Sequence, residues 1–135
     1  LYQYGAKKII LLRCNSTYPA PIEESNLMTI SDMTKLFKVN IGLSDHTIGS
    51  LNSISAIALG ATVIEKHVTV SKNDGGLDSI FSLEIKNFKK FVEDCKNTKK
   101  IIGKVYYGPS KREKHSLKYR RSIYISKNIN KGENN

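Results

Sequence analysis

Cysteine is scarce in this 135-residue chain, and long apolar runs are missing. The two cysteines, Cys14 and Cys95, have neither metal nor redox spacing. That argues against a disulfide framework and makes a reducing cytoplasm the expected compartment. The longest apolar stretch, "ISAIALGATVI" (54 to 64), is broken by Ser55, Gly60 and Thr62. A membrane helix needs about 20 such residues, so no membrane span is expected. No signal-peptide pattern opens the chain. It begins at Leu1 rather than methionine, in what reads as the end of a helix, so a piece of a larger protein is expected.

Acidic residues are also scarce, but only in one part. Residues 1 to 85 carry 7 basic and 8 acidic side chains, a balance of −1. Residues 86 to 135 carry 15 basic and 4 acidic ones, a balance of +11. The overall charge of +10 therefore belongs to one helix and a tail. A solvated lysine-rich face accounts for it more simply than a phosphate-binding surface, so nucleic acid is not the expected partner.

What is present is an alternation of short apolar runs and helical patterns. "IILLR" (9 to 13) reads as a strand buried on both faces. Pro19 and Pro21 make the next stretch a loop. Ser25 or Asn26 is expected to cap a helix with Leu27, Ile30, Met33, Leu36 and Phe37 on its apolar side. "VNIGLS" (39 to 44) is a second strand. Leu51, Ile54, Ile57 and Ala58 mark a helix that Gly60 ends. "ATVIEKH" (61 to 67) is a third, β-branched strand. Asp74, Gly75 and Gly76 form a turn, and Ser82 is the expected cap of a helix with Ile85, Phe88, Phe91, Val92, Cys95 and Ile102 on one face, closed by Gly103. Residues 111 to 121 read as irregular, 122 to 129 alternate like a strand, and "NKGENN" looks like a cut end.

Strand–helix alternation implies parallel strands with right-handed crossovers. Three such units suit either a slice of a (β/α)8 barrel or part of a doubly wound sheet. Both folds bind ligands at the carboxyl ends of their strands. Ser16 and Tyr18 follow the first strand, Ser44, Asp45 and His46 end the second, and Glu65 and His67 end the third. His46 and His67 occupy matched places in neighbouring units, so two imidazoles could share a divalent cation and leave positions open for water or substrate. Asp45 and Glu65 could orient a ring or act as bases. Either histidine alone is explained as a hydrogen-bonded polar group at a loop edge. The matched pair favours a metal. Tyr18 offers a flat apolar face and a hydroxyl, which suits a sugar. Asp78 lies in the loop leaving the third strand, and Cys14 reads as a packing residue.

Four motifs, "LLRCNSTYPAP", "GLSDHTIG", "GATVIEKHVT" and "GGLDSIFSLE", together resemble the sialic acid synthase family, the last most like its pseudaminic acid synthase branch. The resemblance runs in register over nearly the whole chain. It implies an α/β fold: about three β/α units from the C-terminal part of a (β/α)8 TIM barrel over residues 1–104. Residues 105–135 would be a basic linker and the start of a truncated antifreeze-like domain, carried by "RRSIYISKNINKGE". It implies condensation of phosphoenolpyruvate with an N-acylated amino sugar to a nonulosonic acid, with release of phosphate by C–O cleavage. His46 and His67 match metal ligands, for Mn2+ or Mg2+ acting as a Lewis acid on the sugar aldehyde. Ser44 matches a phosphoenolpyruvate contact, and Ser16 falls near the same ligand. Tyr18 and Asp78 match positions facing the amino sugar, and Glu65 an acid beside the metal.

The family's phosphate-binding lysines come from earlier strands, and its antifreeze-like domain reaches a partner subunit's site with an arginine, which implies a homodimeric parent. "HVTVSK" here replaces the family's commoner "HFTLDK". The isolated chain is therefore expected to be inactive, with Leu11, Ile41 and Val63 facing a half-built interior. The alternative from composition is a non-catalytic basic module in which residues 86 to 121 hold nucleic acid or another polyanion.

Overall fold

The structure is a computed structural model that describes residues 1–132. The chain divides into two units, Leu1–Gly103 and Lys104–Asn135. The first unit holds the strands and α-helices among the described residues. Strand β1 (Ile10–Cys14) is followed by helix α1 (Met28–Phe37), β2 (Asn40–Asp45), α2 (Leu51–Ala58) and β3 (Val63–Lys66). The three strands form a parallel sheet in the order β1-β2-β3. Two further strands, β4 (Val68–Thr69) and β5 (Leu83–Glu84), pair in parallel before helix α3 (Ile85–Ile102).

The side-chain period of two divides each strand between two faces. Leu11, Ile41, Leu43 and Ile64 face the helices, where they form a core with Ile30 and Ala56, both fully buried, and Ala61. Burying a side chain such as Ile30 is worth about 1.5–3 kcal/mol. Leu12, Gly42, Val63 and, further along, Ser44 and Glu65 alternate onto the other face. The half-built interior is thus lined by Leu12, Gly42 and Val63. Leu11 and Ile41 belong to the helix side, correcting the sequence expectation by one residue of register, which is enough to change face.

Gly42 has a packing reason. A Cβ there would sit 2.5 Å from the Val63 carbonyl oxygen and 2.6 Å from Leu12 Cδ2. Both neighbours are on flanking strands, and one contact is backbone that cannot swing away. Gly42→Ala is expected to cost about 1–3 kcal/mol, as overpacking does. Thermal or urea unfolding would show it, and an unchanged midpoint would contradict this account.

Several local expectations are corrected. β1 is only half-buried, because it is one of the two edge strands of the sheet among the described residues. The N-cap of α1 is Leu27, with no side-chain cap; Asn26 takes φ 45° and Ser25 is buried. The cap of α3 is Glu84, because Leu83 and Glu84 pair with β4, while the Ser82 hydroxyl bonds the Asp78 carbonyl. In α2 the buried residues are Asn52, Ser53 and Ala56, while Leu51 is exposed. That polar buried face is explained by Asp45, below. Leu36, Phe37, Ile85 and Ile102 are also exposed.

Gly60 and Gly103 follow α2 and α3 with positive φ, and Gly75 makes its turn with φ 72°. In the second unit Glu113–Tyr119 form a 3-10 helix where irregular chain was expected. No strand forms over residues 122 to 129, which are exposed and have no partner strand among the described residues. The last three residues of "NKGENN", and with them Glu133 of the linker-like motif, lie outside the described residues. No helix among the described residues is long and apolar enough to cross a membrane.

Candidate functional site

The three parallel strands end on one rim, and the loops that follow β1 and β3 fold over it. His46 directly follows β2 and His67 directly follows β3. Their rings face each other edge-on with centroids 5.2 Å apart. The Tyr18 ring lies 4.3 Å from His46 and 6.3 Å from His67. Phe81, buried in the loop before β5, completes the group at 5.1 Å from His67 and 5.6 Å from Tyr18. The two imidazoles and the two aromatic rings therefore form one cluster in which every ring contacts the other three. Sequence reading missed Phe81, although "GGLDSIFSLE" contains it, because an apolar residue in a turn-rich loop has no periodicity to place it.

Both rings are held from behind. His46 Nδ1 lies 2.7 Å from the Asn15 carbonyl oxygen. A carbonyl only accepts, so Nδ1–H donates and Nε2 keeps its lone pair. The Cys14 sulfur lies farther off, at 3.8 Å. His67 Nδ1 lies 3.3 Å from Asp78 Oδ2, a carboxylate placed to face that ring nitrogen. A ligand histidine typically donates its second N–H to a carbonyl or carboxylate in this way. The backbone is anchored too. The His46 carbonyl accepts from Ala20 N–H at 3.0 Å, just beyond the cis Tyr18–Pro19 peptide. The His67 carbonyl accepts from Leu83 N–H at 2.8 Å.

Ser44 and Glu65 are cross-strand partners on the same face, and Ser44 Oγ donates to Glu65 Oε1 at 2.6 Å. Ser16 lies near the rim with its hydroxyl 3.9 Å from the Cys14 sulfur. Asp78 stands behind His67 and is half exposed. Ser16, Tyr18, Ser44, Glu65, Asp78 and both histidines are thus placed along one rim.

Asp45 is the exception. Alternation turns it to the helix side, opposite to His46, where it is fully buried. Its Oδ1 accepts from Thr47 N, Thr47 Oγ1 and Asn52 Nδ2. Its Oδ2 accepts from Ser53 Oγ and from Lys66 Nζ at 3.0 Å. Burial pushes this carboxyl up, but the hydrogen bonds from Ser53 and Asn52, the Lys66 charge and the Thr47 amide outweigh it and hold it below the ordinary range. With both oxygens occupied and facing away, Asp45 is not a base at the rim. This also explains the polar buried face of α2.

The donor set suits a divalent cation in part. Two imidazoles whose Nδ1 atoms face Asn15 and Asp78 leave Nε2 as the candidate donor of each ring, and Glu65 lies on the same face as Ser44. Among the described residues no group of three or more His, Cys, Asp or Glu side chains is arranged to hold an ion. Further coordination would fall to water, substrate or residues elsewhere in a larger protein. The excess lysines are spread over α3, where Lys90 pairs with Asp94 and Lys86 with Glu84, and over the second unit.

Known proteins share this arrangement of motifs. The family profile described as NeuB matches residues 1–107. The pseudaminic acid synthase of Helicobacter pylori is 42% identical over 127 residues, covering 93% of this chain and 37% of that protein. The N,N'-diacetyllegionaminic acid synthase of Campylobacter jejuni is 40% identical over 136 residues, 98% of this chain and 41% of that protein. Among solved structures, the N-acetylneuraminic acid (sialic acid) synthetase of Leptospira borgpetersenii, in complex with citrate, superposes with a TM-score of 0.71 at 36% identity, covering 84% of this chain and 40% of that one. The chain spans about two fifths of the length of the relatives it matches.

Proposed function

Since the chain belongs to the NeuB family, we propose that it is the C-terminal part of the catalytic barrel of a nonulosonic acid synthase. The whole protein would condense phosphoenolpyruvate with an N-acylated amino sugar, of the pseudaminic or sialic acid type. Carbon 3 of phosphoenolpyruvate bonds to the aldehyde carbon, water adds at carbon 2, and phosphate leaves by C–O cleavage. The observation that supports this best is the paired histidines at matched strand ends. In both rings Nδ1 faces an oxygen of the protein, the Asn15 carbonyl for His46 and Asp78 Oδ2 for His67.

In this reading His46 and His67 hold a divalent cation, Mn2+ or Mg2+, which when bound supplies Lewis-acid polarisation of the sugar aldehyde. Asn15 and Asp78 fix the two ring tautomers. Ser44 and Ser16 line the phosphoenolpyruvate side, with Glu65 orienting the Ser44 hydroxyl or taking a proton from water. Tyr18 and Phe81 shield the reacting centre, and Tyr18 offers its ring to the sugar. A homodimeric, cytoplasmic parent and an antifreeze-like domain after residue 104 belong to the same proposal.

The test is phosphate release by the whole protein, given phosphoenolpyruvate, Mn2+ and a panel of N-acylated amino sugars. No release with any of them would reject the reading. A narrower check concerns Asp78. Asp78→Ala removes the acceptor behind His67 and is expected to weaken Mn2+ binding about tenfold or more. Calorimetric titration would measure this, and unchanged affinity would remove Asp78 from that role.

A further inference from the structure

The cross-strand register of β2 and β3 ends on the rung Asp45–Lys66. The next residue on each strand is a histidine. Lys66 is buried, with its side chain 2% exposed, and the Asp45 side chain is 0% exposed. The ammonium makes two contacts on the neighbouring strand end. It donates to Asp45 Oδ2 at 3.0 Å and to the Thr47 carbonyl at 2.8 Å. Asp45 and Thr47 are the residues on either side of His46. Lys66 itself directly precedes His67.

One buried cation therefore grips the backbone around His46 from the residue that carries His67. From this we infer that Lys66, with Asp45, is a positioning device that couples the two histidines and sets the spacing of their rings. The paired ladder stops at this rung, so no further rung of β2 and β3 pairs the two histidines directly, and their backbone bonds run instead to Ala20 and Leu83. A side-chain bridge on the opposite face supplies that restraint without bringing the Lys66 ammonium to the rim. An apolar pair would hold the strands together but would not reach the Thr47 carbonyl. Asn52 and Ser53 extend the restraint into α2, so the strand end is tied to the helix layer as well.

The inference deepens the metal-site reading above, but ring placement can be measured without metal. The whole protein, freed of metal, is treated with diethyl pyrocarbonate, and labelling of individual histidines is followed by mass spectrometry. His46 is 5% exposed and is expected to react slowly, while His115, exposed in the second unit, is the internal reference. In Lys66→Met, labelling of His46 is expected to rise severalfold relative to His115. Ile30→Val, a core change away from the rim, should lower stability without this rise.

Lys66→Met leaves a buried carboxylate without its cation and risks unfolding. The neutral double variant Asp45→Asn/Lys66→Met removes both charges and is the second arm. Faster His46 labelling in a folded variant of either kind supports the inference. Unchanged labelling in the folded double variant overturns it, as does an equal rise in Ile30→Val. Mn2+ affinity is measured in parallel, and a loss of about tenfold or more is expected in the double variant. If the unsubstituted protein binds no Mn2+, the metal reading fails, while the labelling result still decides the positioning role.

Discussion

Alanine at His46 or at His67 is expected to lower turnover of the whole protein by at least about 100-fold, the upper end of what losing even a partner behind a ligand histidine costs. The chain contributes two imidazoles to the rim and, among its described residues, no group of three or more ligating side chains that could replace either. Removing one leaves a single nitrogen donor, so Mn2+ affinity should fall with turnover. The double variant should be little worse than the single ones, because groups that act as a unit are non-additive. His46→Ala also forfeits the Asn15 hydrogen bond and the Tyr18 contact. A modest stability loss of about 1–3 kcal/mol is expected there and is checked by melting. His67 is more exposed, so its alanine variant is the cleaner one. Near-normal phosphate release from either folded variant would refute the ligand assignment.

The 135-residue chain by itself is expected to show no turnover and to associate in solution. Its sheet has three strands, and among the described residues the outer edges of β1 and β3 have no partner. Unpaired edges present rows of N–H and C=O groups that invite pairing with another copy. The face carrying Leu12, Gly42 and Val63 has no opposite wall among the described strands, as a closed barrel would provide. Ile10, Val68 and Ile85 are 48%, 44% and 55% exposed, which adds apolar surface to the same tendency.

Charge gives a second reason. The only cations within β1, β2 and β3 are Arg13 and Lys66. The Arg13 guanidinium donates to the carbonyls of Cys14 and Glu24, and Lys66 is bound to Asp45 and Thr47. Neither is free to meet a substrate phosphate at the rim. Light scattering across a concentration series, with a phosphate-release assay in Mn2+, phosphoenolpyruvate and amino sugars, checks both statements. A stable monomer with turnover would mean that the site is complete within these residues.

Much of this could be read from the chain alone. Short β-branched runs separated by helical periods dictate parallel strands, because a parallel connection must cross the sheet. Strand ends then place Ser44, His46, Glu65 and His67 on one rim, since position along a strand is a one-dimensional matter. The pairing of the two histidines was legible for that reason.

Which way each group points, and what stands behind it, is settled by contacts between distant parts of the chain. The carboxylate of Asp45 sits beside His46 in sequence, yet alternation sends it to the helix side, where Lys66, Asn52 and Ser53 claim it. Leu51 reads as core by periodicity, yet the buried face of α2 is polar because it must satisfy that carboxylate. Ser82 reads as a helix cap, yet pairing of Leu83 and Glu84 with β4 delays the helix to Ile85. Phe81 becomes a wall of the site only when the loop before β5 folds back over two strand ends. Local sequence sets the order and length of elements through backbone and side-chain preferences. Burial and hydrogen-bond satisfaction are settled between residues well separated in the chain, such as Asp45 and Lys66, 21 apart, and those distances close only in the folded state.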